Sequence, residues 1–483
     1  MRLRASRIAA ACGVCAAALA PPACKVGPNY HRPDAPVPSA YKELPPGWKV
    51  VAPRDAGARG EWWRIFNDPE LDGLERQVNV SNQNVKQFEA QYREAVALLR
   101  QAQAQLFPTL GVSFGAQRGG GGGGTAAVAS AVGSGAGGST HTEFTLEGVL
   151  SWQPDLWGTI RRQVESRKAG VQVSQADLAN AQLSAQATLA TDYFDLRAAD
   201  SLRELLAKSL SLDEKTLEIT RHQTESGTAT SGDLAAAQAA LEAAQAQLAA
   251  VDQQRGTYEH AIAVLVGRVP SELSIPAAPL AAATPQVPVA VPSELLERNP
   301  SIAAAERQMQ QENALIGVAI GAYFPTISLT GLGGYSGNPL SSLINMSNRI
   351  WSTGGTASDT LFQGGAQVAA VAGARATYDQ YVANYRQTVL SAFQQVEDNL
   401  LALRVLGQEA DFQQEAVKHA QIAADVALNQ FNAGTVSYTT VITDIQTLLA
   451  DQEALLTMRQ NQLVADVSLI EALGGGWDVS VLR

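Results

Sequence analysis

Residues 144–152 have the sequence FTLEGVLSW, in which apolar or small side chains occupy every second position and a tryptophan ends the segment. Leu110, Val112 and Phe114 alternate with small or polar residues in the same way. A period of two places successive side chains on opposite faces of a β-strand. Runs of about ten residues with an aromatic end are typical of membrane strands. We therefore predict strands at about residues 109–118 and 143–152.

The same sequence landmarks occur twice along the chain. The segment LFPTL at 106–110 resembles YFPTI at 323–327, and the Gly-Thr pair at 227–228 matches that at 434–435. The spacing between matches changes once, where the first copy carries a glycine-rich insert at 119–138. Matches over nearly the whole chain predict an internal duplication, with repeat 1 at 82–270 and repeat 2 at 299–476. By this pattern repeat 2 also contains two strands, at about 326–335 and 350–361.

Each predicted repeat contains one very long helix. Residues 159–225 include no proline and one glycine, and the counterpart in repeat 2 spans 366–432. A helix of about 67 residues is roughly 100 Å long. In the second long helix, aromatic and branched side chains recur at the three- and four-residue spacing of a coiled-coil seam, at Tyr378, Tyr381, Tyr385, Val389, Phe393, Val396, Leu400 and Leu403.

Shorter helices are predicted at 233–266 and 440–473, one after each long helix. A proline- and alanine-rich equatorial linker at 271–298 separates the repeats, and residues 477–483 form a C-terminal tail. The predicted fold class is therefore mainly α with membrane β: long antiparallel helices that form an α-barrel, plus four β-strands per chain.

The N-terminus has the pattern of an exported lipoprotein. Three arginines precede an apolar stretch at 8–20, which predicts a signal peptide at 1–23. The sequence PPAC ends at Cys24, and a small residue before cysteine is typical of a lipoprotein cleavage site. The alternative is ordinary cleavage near Ala23 that leaves Cys24 free, but an unpaired thiol is unusual in an exported protein. Lys25 follows instead of the aspartate that retains such lipoproteins in the inner membrane. A proline-rich tether and equatorial segment then occupies 24–81.

The composition excludes several classes of function. The 483-residue chain has a formal net charge of −11, which repels phosphate backbones and argues against a nucleic-acid partner. All three cysteines lie near the N-terminus, so they supply neither a disulfide framework nor a cysteine metal site. No nucleophile–base pair, metal cluster or cofactor loop is present in the sequence. We therefore predict no enzyme activity and no cofactor other than a covalent lipid on Cys24.

Four membrane strands per chain require partners. An open sheet edge cannot lie in lipid, and four strands cannot close a barrel. Two copies would give eight strands, whose interior is filled by side chains, whereas three copies give twelve strands with space for a lumen. The sequence therefore predicts a homotrimeric channel in contact with outer-membrane lipid.

Five motifs resemble those of the outer-membrane efflux protein family, the TolC-like channels, and within it the OprM/NodT-type lipoproteins. They are CKVGPNY at 24–30, EWW at 61–63, FNDP at 66–69, DLWG at 155–158 and LFQGG at 361–365. The last departs from the usual FDGGR, with Gln363 and Ala366 in place of the aspartate and the arginine. The resemblance implies a trimer with a twelve-stranded β-barrel and an α-helical barrel in the outer membrane of a Gram-negative bacterium. It also implies a periplasmic adaptor (membrane fusion) protein and a proton-driven inner-membrane RND pump as partners, and small molecules as cargo.

The resemblance further implies a periplasmic constriction. In the family the helix-pair turns close the periplasmic tip, and here they lie at 226–232 and 433–439, with turn glycines Gly227 and Gly434. A carboxylate after the second turn narrows the pore, and its match is Asp444, near Thr440. Three such carboxylates in a trimer would repel one another and would filter or bind cations. For Asp233, and as an alternative for Asp444, the sequence indicates a simpler role near a helix N-terminus, where acidic groups complement the helix dipole.

The second turn departs from the family at one point. The closed state of the family often uses a Tyr-Arg pair before this turn, and here Phe431 and Asn432 occupy the two positions. Phe431 lacks a hydroxyl that could reach Asp233, and Asn432 carries no charge. We predict a gate with fewer ionic contacts. Unchanged single-channel conductance in Phe431→Tyr or Asn432→Arg would contradict this prediction.

Two other functions remain open from the sequence. A lipid-anchored coiled-coil structural protein or adhesin would explain the long helices but not the strand pairs. An exit channel for protein or peptide secretion would keep the fold and change the cargo. Trimers extracted only by detergent would favour a channel, and a soluble rod after removal of the lipid would favour the structural protein.

Overall fold

The computed structural model describes residues 25–44, 50–51, 60–120, 140–281, 285, 287, 289–290 and 292–482. The predicted signal peptide, Cys24, most of the glycine-rich insert and part of the proline-rich tether lie outside the described residues. The chain forms two compact units. The sheet unit contains the described parts of Met1–Arg32, Ala95–Val171 and Gln308–Tyr381, and the helix unit contains those of Pro33–Glu94, Gln172–Arg307 and Val382–Arg483.

The described residues contain eight α-helices and six strands. The helices are α1 (Pro69–Ser81), α2 (Gln83–Ala104), α3 (Thr159–Glu225), α4 (Ser231–Leu265), α5 (Pro292–Arg298), α6 (Pro300–Gly321), α7 (Ala366–Asn432) and α8 (Tyr438–Ala472). The strands are β1 (Val50–Val51), β2 (Thr109–Gly120), β3 (Thr140–Trp152), β4 (Val289–Ala290), β5 (Thr326–Gly337) and β6 (Arg349–Ser358). β1 and β4 form a short parallel pair.

Four strands form one antiparallel sheet in the order β2-β3-β5-β6. The two hairpins come from distant parts of the chain, and β3 pairs with β5 to join them. All four predicted strands are present, so the mainly helical fold with one four-stranded sheet is confirmed.

Some element bounds differ from the prediction. The fourth strand ends at Ser358 and not at residue 361, because its neighbour β5 begins at Thr326, which pairs with Ser358. The residues after Ser358 have no partner residue in β5. β3 begins at Thr140, so the first hairpin is longer than predicted, and β5 continues to Gly337, two residues past its predicted end. The helices after the two turns begin at Ser231 and Tyr438, two residues earlier than predicted, since the capping residues precede Asp233 and Thr440.

The linker predicted at 271–298 contains short elements of secondary structure. It includes α5, which begins with Pro292, a residue whose fixed φ suits the first helical position. An ionic network also holds the linker against α3 and α4 within the helix unit. Asp200 accepts hydrogen bonds from Arg255 Nε (2.6 Å) and from the backbone N–H of Ala278 (3.1 Å), and Arg255 also donates to the carbonyl of Ile275 (2.6 Å).

Two asparagines join helix ends in the helix unit. The Oδ1 atom of Asn82 accepts hydrogen bonds from the N–H groups of Asn84 and Val85 at the start of α2, and its Nδ2 donates to the carbonyl of Leu265 at the end of α4 (2.9 Å). Asn299 makes the same contacts with the start of α6 and with the carbonyl of Ala472 at the end of α8 (3.1 Å). Each asparagine thus satisfies free N–H groups of one helix and a free carbonyl of another.

The predicted seam of α7 is buried along its middle. Tyr385, Val389, Val396 and Leu400 are fully buried and Phe393 nearly so, whereas Tyr378, Tyr381 and Leu403 are half-buried. Side chains three and four positions apart lie on one face of a helix, so this stripe is the face that packs.

Candidate functional site

The four-stranded sheet has one apolar face. Leu110 pairs with Leu150, and Phe114 pairs with Leu146, which pairs with Tyr335 in turn, so these side chains point to the same side. Leu110 and Val112 are 75% and 77% exposed, and Trp351 on β6 is 69% exposed. An apolar surface of this extent on a single chain indicates contact with an apolar medium or a partner.

The opposite face of the sheet is polar. Ser113 on β2 donates a hydrogen bond to Glu147 on β3 (3.2 Å), and Ser336 on β5 donates to Glu143. The hydroxyl groups of Ser328 and Thr356 are 2.7 Å apart. Hydroxyl and carboxylate groups therefore cross-link the strands on the side away from the apolar surface, as expected where one face meets water.

The sheet ends in two edges. β2 and β6 each have one neighbouring strand among the described residues, so the outer side of each carries unpaired backbone N–H and C=O groups. Such edges are templates for another strand. Across three strand spacings of about 4.8 Å each, the edges of one sheet are too far apart to pair with each other.

The first described residues are clamped beside the sheet. Arg162 near the start of α3 is fully buried and donates hydrogen bonds to the carbonyls of Val26 (2.9 Å) and Gly27 (2.8 Å). It also contacts Glu165 (2.9 Å), which forms an ion pair with Lys25. Burial is the largest influence on the Glu165 pKa and raises it, but the hydrogen bonds from Lys25 and Arg162 outweigh it and lower the pKa.

Trp157 links this clamp to the strand ends. Its carbonyl accepts a hydrogen bond from the N–H of Val26 (3.1 Å), and its indole donates to the carbonyl of Pro325 (2.8 Å), next to the first residue of β5. The indole also stacks on Phe324, with ring centroids 4.9 Å apart. Lys25 is therefore held close to the end of β5 that follows α6. The sequence contains the DLWG motif of Trp157 but gives no sign that Arg162 holds the N-terminal segment.

The two predicted turns have the same backbone. Gly227 and Gly434 have φ angles of 72° and 73°, in the left-handed region that glycine adopts without steric cost. In both turns a threonine bonds back to a glutamine carbonyl through its N–H and its hydroxyl. Thr228 does so with Gln223 (2.8 and 3.0 Å), and Thr435 with Gln430 (3.0 and 2.9 Å).

The helices after the turns are capped differently. Thr230 and Asp233 form a capping box at the start of α4, in which each side chain bonds the backbone N–H of the other. The hydrogen bonds from Thr230 lower the pKa of Asp233. At the start of α8, Ser437 makes no capping hydrogen bond with its side chain, and its hydroxyl lies 3.3 Å from that of Thr440. Asp233 therefore has the local role that its position near a helix N-terminus suggests.

Asp444 is placed differently from Asp233. It is the seventh residue of α8, in the second turn, and the first turn of α8 has no acidic residue. Its side chain is half-buried and has no hydrogen-bond or ion-pair partner among the described residues. Since the dipole effect falls off within the first turn, helix capping does not account for this carboxylate.

An apolar cluster joins the ends of the four helices that flank the turns. Phe431 is 4% exposed and packs with Ala237, Ala424, Ala427, Val441 and Ile445. Leu212, Leu217 and Ile219 of α3 contact the same cluster. Phe431 is therefore a packing residue, whereas Asn432 beside it is exposed.

Two buried acidic groups were not predicted from the sequence. Both oxygens of Glu75 on α1 and of Asp466 on α8 are buried without a hydrogen-bond partner. Burial raises the pKa of Glu75 to about 9 and that of Asp466 to about 8. Their positions within helix patterns resemble those of surface acids, so burial could be recognised only in the folded chain.

None of the helices in the described part of the chain combines the length and the apolar character that a membrane span requires. The described residues also contain no group of three or more histidine, cysteine, aspartate or glutamate side chains placed to hold a metal ion.

The outer membrane efflux protein family model matches residues 74–268 and 291–475 of the chain. The probable efflux pump outer membrane protein TtgC of Pseudomonas putida is 28% identical over 462 residues, which cover 94% of this chain and 93% of TtgC. The pyoverdine export outer membrane protein OpmQ of Pseudomonas aeruginosa is 28% identical over 436 residues, covering 90% of this chain and 91% of OpmQ.

Solved structures with the same fold include the outer-membrane channel OprN, with a TM-score of 0.84 and 28% identity over 94% of this chain and 100% of OprN. The CmeC outer membrane channel of Campylobacter jejuni has a TM-score of 0.87 and 24% identity over 95% of this chain and 96% of CmeC.

Proposed function

The chain belongs to the outer membrane efflux protein family, and we propose that three copies of it form a passive exit duct for small molecules. It is an outer membrane channel component of an efflux pump in a Gram-negative bacterium, and not an enzyme. The single observation that carries the proposal is the two-faced sheet with two open edges.

A closed barrel resolves both features of that sheet. The backbone groups at the edges of β2 and β6 cannot stay unpaired in hydrocarbon, so β6 of one copy pairs with β2 of the next. Three copies give a barrel of twelve strands. Its apolar face, with Leu110, Val112 and Trp351, faces lipid, and its polar face, with Glu143 and Glu147, faces a water-filled lumen.

The long helices extend the duct. Each of α3 and α7 has 67 residues, or roughly 100 Å at the helical rise per residue. Three copies contribute six such helices, together with α4 and α8, to an α-helical barrel that reaches into the periplasm. There it meets a periplasmic adaptor protein and an inner-membrane RND pump, which selects the cargo.

An internal duplication explains the architecture of each chain. The family model matches the chain twice, once in each half. Support also comes from the paired contacts of Asn82 and Asn299, and from the shared geometry of Gly227 and Gly434. Each repeat within the chain supplies one hairpin and one long helix.

A lipid on Cys24 anchors the N-terminus. The clamp of Arg162 on Val26 and Gly27 supports this, because Cys24 immediately precedes Lys25, which is held near the start of β5. An acyl chain on Cys24 would then enter the leaflet at the periplasmic end of the sheet.

Asp444 forms the constriction of the duct. In a trimer three copies of this carboxylate face a common axis near the periplasmic tip, beside Thr440 and Asn432. A ring of carboxylates attracts cations and repels anions. Asp444 has no hydrogen-bond or ion-pair partner among the described residues, which supports this role, and the exposed Asn432 gives the gate fewer ionic contacts than a Tyr-Arg pair would.

Planar-bilayer recordings of the purified full-length protein test the proposal. We expect a conducting, cation-selective pore, and a severalfold lower cation-to-anion permeability ratio in Asp444→Asn. The matched variant Asp233→Asn should keep the ratio, since that carboxylate is engaged with Thr230. The absence of any conductance would refute the duct, and an unchanged ratio in a conducting Asp444→Asn pore would refute the constriction.

A further inference from the structure

The loop between β5 and β6 is compact and carries no charge. Residues 338–348 have the sequence NPLSSLINMSN. The side chain of Asn348 donates a hydrogen bond to the carbonyl of Ser342 (2.8 Å), and the N–H of Ser342 donates to the carbonyl of Pro339 (3.0 Å). Leu343 is buried inside the loop. The loop is therefore an ordered platform.

This platform presents large apolar side chains to the outside. Ile344 and Met346 are 72% and 73% exposed, and Leu340 is about half exposed. Each such side chain gains free energy on transfer out of water, because its apolar surface is then no longer hydrated. With no charged residue among them, the three side chains suit contact with an apolar partner.

The loop lies on the apolar side of the sheet. A Cβ atom on Gly337, the last residue of β5, would come within 2.7 Å of the Asn348 side chain. Gly337 pairs with Phe144, and two positions earlier Tyr335 pairs with Leu146, so Gly337 points to the apolar face. Asn348 therefore folds over that face, and the loop continues the apolar surface beyond the strand ends.

Arginines lie at the same end of the same face. Arg349, the first residue of β6, pairs with Tyr335, and Arg118 near the end of β2 lies on the face of Phe114. Both arginines are exposed and have no ion-pair or hydrogen-bond partner among the described residues. A cation beside an apolar platform is complementary to a molecule with an acidic head and acyl chains.

We infer that Leu340, Ile344, Met346 and Arg349 bind an anionic, phosphate-bearing lipid at the outer end of the sheet. The acyl chains lie against the loop and the phosphate lies against Arg349. The inference rests on the proposed function, because it requires the apolar face to lie in a membrane. β5 follows α6 and β6 precedes α7, so the loop lies at the strand ends away from those helices.

Spin labels on single cysteines test whether the apolar side chains of the loop lie in lipid. The labelled full-length protein is reconstituted in phosphatidylcholine vesicles. We expect Ile344→Cys and Met346→Cys to collide more with oxygen than with a water-soluble nickel complex. Ser341→Cys, in the same loop and exposed, should show the opposite preference. Val112→Cys on β2 reports whether the sheet itself lies in lipid.

The results at these positions distinguish failure of the lipid site from failure of the duct. A lipid-like signal at Val112 with water-like signals at Ile344 and Met346 would overturn the lipid site and leave the duct intact. A water-like signal at Val112 would overturn the duct and the lipid site together.

Spin-labelled phosphatidic acid tests whether Arg349 contacts a lipid phosphate. We expect the wild-type protein to prefer it over spin-labelled phosphatidylcholine, and Arg349→Gln to weaken that preference about fivefold. The control Arg221→Gln removes an exposed arginine near the end of α3, with no ion pair among the described residues, and should leave the preference unchanged. Equal preference for both lipids in the wild type, or an unchanged preference in Arg349→Gln, would refute a phosphate contact.

Discussion

The turns at residues 226–233 and 433–440 share one backbone but differ in chemistry. Gly227 and Gly434 have nearly equal φ angles, and the same hydrogen bonds close both turns. The first turn uses its carboxylate, Asp233, in a capping box. The second turn has Thr440 at that position, and its nearest carboxylate in α8, Asp444, has no partner among the described residues. A shared backbone thus accounts for the fold of both turns, whereas among the described residues only the first carboxylate takes part in a helix cap.

The apolar packing behind the two turns is also unequal. Phe431 fills the cluster before the second turn, and the matching position before the first turn is Thr224, whose hydroxyl bonds the carbonyl of Thr220 (2.8 Å). We expect Phe431→Ala to lower the free energy of unfolding by about 3–5 kcal/mol, as for other buried aromatics. Thr224→Ala should cost well under that amount. Denaturant unfolding followed by helical signal measures both, and equal losses would mean that the second turn has no special packing.

Asp233 and Glu75 differ in burial, and their pKa values are shifted in opposite directions. Asp233 bonds Thr230 and its pKa is lowered, so its contribution to stability is present at neutral pH and is lost as pH falls through that pKa. Glu75 is the opposite case, since burial raises its pKa from 4.5 to about 9. Its folded-state pKa exceeds the unfolded value, so burial costs nothing below pH 4 and an increasing amount from about pH 4.5 to 9.

We therefore expect Glu75→Gln to stabilise the protein by about 3 kcal/mol at pH 7, and to leave stability unchanged at pH 4. Thermal unfolding at several pH values checks this, with the exposed Glu94→Gln as control. A stabilisation independent of pH would show that folding does not raise the pKa of Glu75.

Much of this contrast was not accessible from the sequence. The long helices follow from uninterrupted spans without proline, two strands follow from alternation of side chains, and the strand at 326–335 follows from the segment it shares with the first repeat. The fourth strand is weakly apolar, and only the internal repeat predicted it. Its end was missed, because that end is set by where its partner β5 begins. The Arg162 clamp and the burial of Glu75 depend on contacts between distant segments, which no local pattern encodes.

Among the site residues, too, the sequence identified local patterns but not the contacts between side chains. The sequence located both turns, their glycines and the candidate acids, because glycine and capping residues have strong local signatures. Only the family resemblance separated Asp444 from Asp233, since both acids follow a turn closely. The structure distinguishes them by the hydrogen bonds of Thr230, which are present for one and have no counterpart for the other.

The turn glycines test whether the shared backbone is equally required. We expect Gly227→Ala and Gly434→Ala each to destabilise the protein by about 1–2 kcal/mol, since a side chain disfavours the left-handed conformation. Gly407→Ala, within α7, serves as the control and should be neutral or slightly stabilising. Unequal losses at the two turns would break the equivalence of their backbones.

The caps provide the smallest difference between the turns. Thr230→Ala removes a capping hydrogen bond and should cost about 1 kcal/mol, whereas Ser437→Ala should cost little, because its side chain makes no cap. Hydrogen exchange of the first amides of α4 and α8 measures the local effect. Similar protection losses in both variants would contradict the asymmetry of the caps.

The most direct test of the account is whether β2 of one copy lies beside β6 of another. Pairs of cysteines, with Ser113→Cys on β2 and Ser352→Cys, Gly354→Cys or Thr356→Cys on β6, can be oxidised in the membrane. Within one chain these strands are the opposite edges of the sheet, well beyond the roughly 7 Å that a disulfide allows between Cα atoms. For at least one pair, we expect disulfide-linked dimers and trimers and no larger species. Monomers for every pair, or polymers that continue past three chains, would contradict the account.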